Sequence, residues 1–217
     1  LLELPPGDFG ALIFDCDGTL ADSMPLYHRA WRAALSAHGA TFDFTWDIFM
    51  SRAGVSTEGT VTALNEQFGT MLDAERIEEH HHAEYARLVE GVKPFPEVVA
   101  VAEAHYGKLP MAVASGGSRH LVERTLALIG VRHLFNVVVV AADVPRGKPH
   151  PDIFLHAAKL LDVLPERCLV FEDGRPGIVA AEAAGMQSVF VKRESPYGDD
   201  AAHGTASAAP PGSRGSA

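Results

Sequence analysis

Five short apolar runs punctuate the chain: ALIFD (Ala11–Asp15), MAVAS (Met111–Ser115), VVVV (Val137–Val140), CLVFE (Cys168–Glu172) and SVFV (Ser188–Val191). Each is continuous rather than alternating, and all but VVVV have glycine or charge on at least one side. Such runs read as strands buried on both faces, the habit of parallel sheets. Between the later runs, Ser118–Ile129, Pro151–Leu161 and Pro176–Ala184 carry apolar residues at helical spacing, and Gly185 stops the last. Strand alternating with helix predicts an α/β fold built on a doubly wound parallel sheet.

The long stretch between the first two runs breaks that rhythm. SMPLYHRAWRAALSAHG, STEGTVTALNEQFG and DAERIEEHHHAEYARLVEG have helical spacing, glycine ends and no strand pattern. They predict an α-helical module, residues 22–91, inserted after the first strand of a core made of residues 7–21 and 92–194. The segment 195–217 is small, polar and rich in Gly, Pro and Ala. It has too little apolar surface to offset its ordering entropy, so disorder is expected there.

Composition narrows the partners. The 217 residues carry a net charge of −10 with the 11 histidines counted neutral. A surface of that sign repels nucleic acid and anionic membranes, so an anionic ligand must be drawn in by a local site. Only Cys16 and Cys168 are present, too few for a disulfide framework and suited to a reducing compartment. There is no run of eighteen apolar residues and no basic leader ahead of an apolar segment, so a cytoplasmic protein is expected. Nothing in the sequence specifies an oligomeric state.

The chemistry begins at FDCDGTLADS, Phe14 to Ser23. Residues i and i+2 of an extended chain point the same way, so Asp15 and Asp17 can present their carboxylates together at the end of the first strand. Gly18 then lets the backbone turn away. Alone, D-x-D-G reads as a capped turn. Three other strand ends, however, also carry groups suited to phosphate chemistry: Ser115, Lys148 beyond VVVV, and Glu172-Asp173. Ligands of open parallel sheets bind just beyond those strand ends. Four acids there would repel a phosphate dianion, because like charges about 4 Å apart repel by about 4 kcal/mol at an intermediate dielectric. All-oxygen donors of this kind suit Mg²⁺ better than zinc.

In this order, DCDGTL, ASGGS, GKPHPDIF and FEDGRPG resemble the four signatures of the haloacid dehalogenase superfamily, and more narrowly its β-phosphoglucomutase-like phosphatase branch. The resemblance runs from about Phe9 to Lys192. It implies that Asp15 is a nucleophile forming an aspartyl phosphate and that Asp17 is the general acid and base. It implies Mg²⁺ ligation by the Asp15 carboxylate, the Asp17 carbonyl and Asp173, with Glu172 directly or through water. Lys148 would contact the nucleophile and the phosphoryl group. Ser115 and the amides of Gly116 and Gly117 would bind phosphoryl oxygens. One departure stands out: the family usually has serine where this chain has Gly174, a loss that bears on support of the metal ligands.

The inserted helices would supply the substrate contacts. The mutase has an arginine after the GVS of its cap and a lysine before its later tyrosine. Here Thr57 and His81 take those places, and Tyr27, next to His28, takes that of its cap histidine. Tyr27, His28 and His81 are therefore candidate substrate contacts, with Arg119 a further one for a sugar or carboxylate. A protein that grips two phosphates should keep such cations. Their loss favours a phosphatase of a small phosphorylated metabolite, most plausibly a sugar phosphate, over a phosphoglucomutase-type isomerase. A phosphonatase lysine is missing from residues 22–91, and a non-catalytic module fits poorly with competent side chains at all four motifs. In EEHHHAEY, consecutive residues of a helix point about 100° apart, so His80, His81 and His82 cannot converge on one ion.

Overall fold

A computed structural model describes residues 2, 4–52 and 55–192. The expected tail, 195–217, and Gly54 of the GVS motif lie outside the described residues. Five parallel strands, β1 (Ala11–Phe14), β2 (Met111–Ser115), β3 (Val137–Val140), β4 (Cys168–Glu172) and β5 (Gln187–Phe190), form one sheet in the order β3-β2-β1-β4-β5. The chain leaves the central strand β1, moves outward through β2 and β3, then crosses to β4 and β5. That reversal is the topological switch at which α/β sheets place their ligands. The strands match the apolar runs, with β5 one residue earlier than expected.

Continuous apolarity is explained by burial from both sides. Every residue of β1, β2 and β4 is buried. One layer gathers Leu12, Phe14, Val113, Val140, Leu169 and Phe171 under α5 (Pro96–His105) and α6 (Arg119–Leu128). The other gathers Ile13, Ala112, Val139 and Val170 under α7 (Asp152–Leu161) and α8 (Arg175–Ala183). In α7 the buried residues Ile153, Phe154, Ala157, Ala158 and Leu161 repeat at the helical period, so one stripe faces the sheet.

Four helices, α1 (Met24–Ala37), α2 (Trp46–Ser51), α3 (Thr57–Phe68) and α4 (Ala74–Leu88), lie between β1 and β2 in sequence. Pro25 sits in the first turn of α1, and the side chains of Ser56 and Asp73 cap α3 and α4 through their first backbone amides. These helices bury a core of their own around Trp31, Leu35, Phe44, Phe49, Leu64 and Ile77. The outgoing and returning chains are pinned side by side: Asp22 N–H donates to the Lys93 carbonyl at 2.8 Å and Phe95 N–H to the Leu20 carbonyl at 2.9 Å. Because both crossings share one small patch, the helical block sits directly over the end of β1.

Phe14 is fully buried, stacked on Phe171 at 4.5 Å between ring centroids and edge-on to Phe135 at 5.6 Å. Phe14→Ala should destabilise the fold by about 3–5 kcal/mol, since neighbouring strands cannot collapse into the vacated space. Chemical denaturation read by circular dichroism checks this; a loss below about 1 kcal/mol would contradict this account of the core.

Candidate active site

The chain must turn sharply after β1, and Gly18 makes this possible with φ of +86°, a conformation that favours glycine. Its N–H donates to the Ala21 carbonyl at 2.7 Å, closing the turn. This leaves Asp15 buried at the strand end and Asp17 half-buried above it. Ser23 Oγ donates to Asp17 Oδ1 at 2.7 Å. Thr19 Oγ1 donates to Asp173 Oδ1 at 3.0 Å, tying the first motif to the last across 154 residues.

Lys148 is the hub. Its Nζ donates to Asp15 Oδ1 at 2.7 Å, to Glu172 Oε1 at 2.7 Å and to the Ala114 carbonyl at 3.0 Å, using all three ammonium protons. Burial alone would lower its pKa, but the Asp15 and Glu172 carboxylates outweigh burial and hold it above the ordinary lysine value. Lys148 therefore stays charged. For Glu172, burial and then the Asp15 charge raise the carboxyl, with Lys148 opposing them.

Glu172, expected from sequence as a metal ligand directly or through water, is engaged by protein groups at both carboxylate oxygens. Glu172 Oε1 receives Lys148 and Oε2 receives the Gly174 N–H at 2.6 Å, so the carboxylate fixes the lysine. Gly177 makes room for it: a Cβ at that position would lie 1.8 Å from Glu172 Oε1. The serine hydroxyl missing at Gly174 has counterparts here, because the Gly174 amide engages Glu172 and Thr19 engages Asp173.

On β2, Ser115 is buried and its Oγ accepts the Gly117 N–H at 3.1 Å. A Cβ on Gly117 would crowd Ser115 Oγ at 3.3 Å and lie 3.5 Å from Asp17 Oδ2, which places the serine and the second aspartate around one point. Asp15, Asp17, Ser115, Gly116 and Gly117 form the floor of a cleft of about 520 Å³ under the helical block. Tyr27, Trp31, Thr57 and His81 line its upper side. Tyr27 stacks on Tyr85 at 3.8 Å, and burial keeps its phenol protonated, well above the ordinary tyrosine value.

Two candidate contacts are not in the cleft. His28 is buried in the core of the helical block, with Nε2 2.7 Å from the Phe44 carbonyl, and its burial lowers its pKa. Arg119 is held by Asp143 at 2.5 Å and by the Val138 carbonyl at 3.2 Å, which turns it toward β3. The three histidines of α4 diverge: His81 is buried, His82 exposed, and His80 meets the ring of His38. Arg52, just after α2, lines the cleft and was not among the expected contacts. Its only sequence signal was a lone cation ahead of the GVS loop. Cys16, buried between the aspartates, has its thiol raised by burial and then by Asp17 and Asp15, so it stays protonated.

For a Mg²⁺ ion the donors present are hard oxygens. Lys148 takes Oδ1 of Asp15 and leaves Oδ2, Asp173 is oriented by Thr19, and the Asp17 carbonyl lies in the same turn. Among the described residues no three His, Cys, Asp or Glu side chains form a ready-made cage. Two carboxylates with a carbonyl and water is nonetheless the kind of incomplete shell Mg²⁺ accepts.

Comparison with known proteins agrees with this geometry. The family model of haloacid dehalogenase-like hydrolases matches residues 9–185, and the chain belongs to that family. It is 38% identical over 185 residues to the fructose-1-phosphate phosphatase YqaB of Escherichia coli K12, covering 85% of this chain and 97% of that one. It is 31% identical over 182 residues to a phosphorylated carbohydrates phosphatase of Thermotoga maritima, covering 83% of each. The crystal structure of β-phosphoglucomutase from Clostridium difficile superposes with a TM-score of 0.72 at 26% identity, over 85% of each chain. Among the described residues no helix is long and apolar enough to cross a membrane.

Gly177→Ala should displace Glu172 and unseat Lys148, lowering kcat roughly ten- to hundredfold in a protein that still folds. Unchanged turnover in the folded variant would mean that the Lys148–Glu172 link is dispensable. His81 carries a pH signature. Burial, then the His82 charge, lowers it to about 4, against about 6.5 in an unfolded chain. Between those values the unfolded chain binds the proton first, so stability is intact above pH 6.5 and is lost as pH falls toward 4. Thermal melts from pH 7 to 4.5 should show His81→Asn losing less stability than the unsubstituted protein; equal losses would contradict a buried neutral imidazole.

Proposed function

We propose that the protein is a Mg²⁺-dependent phosphoric monoester hydrolase acting on a small phosphorylated metabolite, a sugar phosphate, through an aspartyl phosphate. The observation that carries this reading is the buried Asp15–Lys148–Glu172 bridge at the floor of a cleft that Asp15 shares with Asp17 and Ser115. Relatives named as phosphatases of fructose 1-phosphate and of phosphorylated carbohydrates support the substrate class.

Asp15 attacks phosphorus with a carboxylate oxygen, forming the Asp15 O–P bond as the ester P–O bond breaks. Lys148 pairs with Oδ1 of Asp15 at 2.7 Å and orients it, so the nucleophile is positioned before substrate arrives. Asp17, steered by Ser23, gives its proton to the departing alkoxide, which leaves as the alcohol. In the second half Asp17 takes a proton from water, whose oxygen bonds to phosphorus; the Asp15 O–P bond breaks and phosphate is released. Ser115 and the Gly116 and Gly117 backbone stand where the phosphoryl oxygens would lie. Asp15, the Asp17 carbonyl and Asp173 would hold Mg²⁺, which when bound offsets the negative charge of the phosphoryl group.

Asp15→Asn should abolish turnover in a protein that still folds, with a lowered melting temperature because Lys148 loses a buried counter-charge, and Asp17→Asn should slow both half-reactions by about two orders of magnitude or more. Chelation should silence the enzyme and Mg²⁺ should restore it. The assay is released phosphate and isomerised product followed together on glucose 1-phosphate and fructose 1-phosphate. Steady hydrolysis by Asp15→Asn would refute the nucleophile, and isomerised product dependent on a bisphosphate activator would establish a mutase instead.

A further inference from the structure

Among the polar groups of the helical block that line the cleft are Arg52, His81 and Glu78, and the chemistry above uses none of these three. Arg52 has its Nη2 held by Gln67 Oε1 at 3.1 Å on α3, while its Nε is buried with no hydrogen-bond partner. Among the described residues no carboxylate pairs with it. His81 is 5% exposed, and neither ring nitrogen has a hydrogen-bond partner. Glu78 lies one turn earlier on the same face of α4 and lines the same cleft. A buried donor left unsatisfied costs about 1–3 kcal/mol. Two residues carrying that cost in one cleft are set for partners that the chain does not supply.

The character of the missing partner follows from the charges. Arg52 only donates, Glu78 only accepts when ionised, and a neutral imidazole does one at each nitrogen. A hydroxyl does both, so a chain of hydroxyls satisfies all three residues at once. A second phosphate or a carboxylate would satisfy Arg52 and the one donating nitrogen of His81, and would leave Glu78 and the other nitrogen without a donor. It would then face Glu78 and an uncharged ring, above a floor that already carries Asp15 and Asp17. Trp31, 5.0 Å from the His81 ring between centroids, offers an apolar wall for the carbon skeleton.

We propose that Arg52, His81 and Glu78 read the hydroxyls of the leaving alcohol, and so select uncharged polyhydroxy monophosphates against bisphosphates and phosphorylated carboxylic acids. This rests on the hydrolase reading above. Where the mutase's clamp positions are Thr57 and His81, Arg52 brings a cation to the cleft from a different position.

The test compares kcat/KM for fructose 1-phosphate, fructose 1,6-bisphosphate, 6-phosphogluconate and p-nitrophenyl phosphate. The unsubstituted enzyme should prefer the first. Arg52→Gln should lower the ratio of fructose 1-phosphate to p-nitrophenyl phosphate by roughly tenfold or more, mainly through KM. Arg52→Lys should recover only part, because an ammonium lacks the planar fork. Glu78→Gln, at an exposed position, should raise 6-phosphogluconate relative to fructose 1-phosphate. An equal loss on sugar and nitrophenyl esters, or a native preference for the bisphosphate or the acid, would overturn the assignment while leaving the hydrolase intact. Absence of phosphate release from all four esters would overturn the hydrolase reading itself.

Discussion

A lysine ammonium clamped between two carboxylates organises this molecule. Asp15 ends the central strand, Glu172 ends its neighbour β4, and Lys148 arrives from the loop between β3 and α7. All three side chains are nearly excluded from water. Removing one partner of such a pair leaves an uncompensated buried charge, which typically costs 3–5 kcal/mol. The sheet order follows the same demand, because Asp15 and Glu172 can share one ammonium only if β1 and β4 are adjacent and parallel. Gly177 completes the arrangement by giving up a side chain where Glu172 must lie.

The same bridge explains how a strongly acidic protein can hold the buried Asp15 carboxylate, proposed above as the nucleophile, at the end of β1. With Lys148 charged, Asp15 is paired without being consumed, since the ammonium engages only Oδ1. The other acids are each given a distinct neighbour: Asp17 has the Ser23 hydroxyl and Asp173 the Thr19 hydroxyl. Similar carboxylates thereby acquire different surroundings, which is what the proposed division between nucleophile and acid or base requires.

The strands, and the gathering of the four motifs at their ends, were legible in the sequence because each is a local signal. A run such as CLVFE declares burial on both faces, and D-x-D-G-T carries its turn glycine within it. Residues whose role depends on a distant partner were not legible. Arg119 looked available until Asp143 was seen to hold it, and His28 looked like a cleft residue until the Phe44 carbonyl fixed it in the core. The link from Glu172 to Lys148 was equally hidden, because 24 residues separate the two and only the sheet brings them together. Arg52 failed to register for the converse reason: nothing near it in sequence marks a guanidinium as buried.

The helical block and the sheet thus divide the work by electrostatic character. The floor is strongly charged and rigidly paired, as cleavage of any phosphate ester requires. The roof is weakly charged and incompletely paired, with an imidazole that burial keeps neutral near pH 7. A roof built to hold a second phosphate would need more than one cation, because two phosphates exchanging places must each be gripped in turn. Arg52 alone, with Glu78 beside it in the lining, does not meet that need. Water is small and uncharged and needs no grip from above, so it is the phosphoryl acceptor that this roof admits.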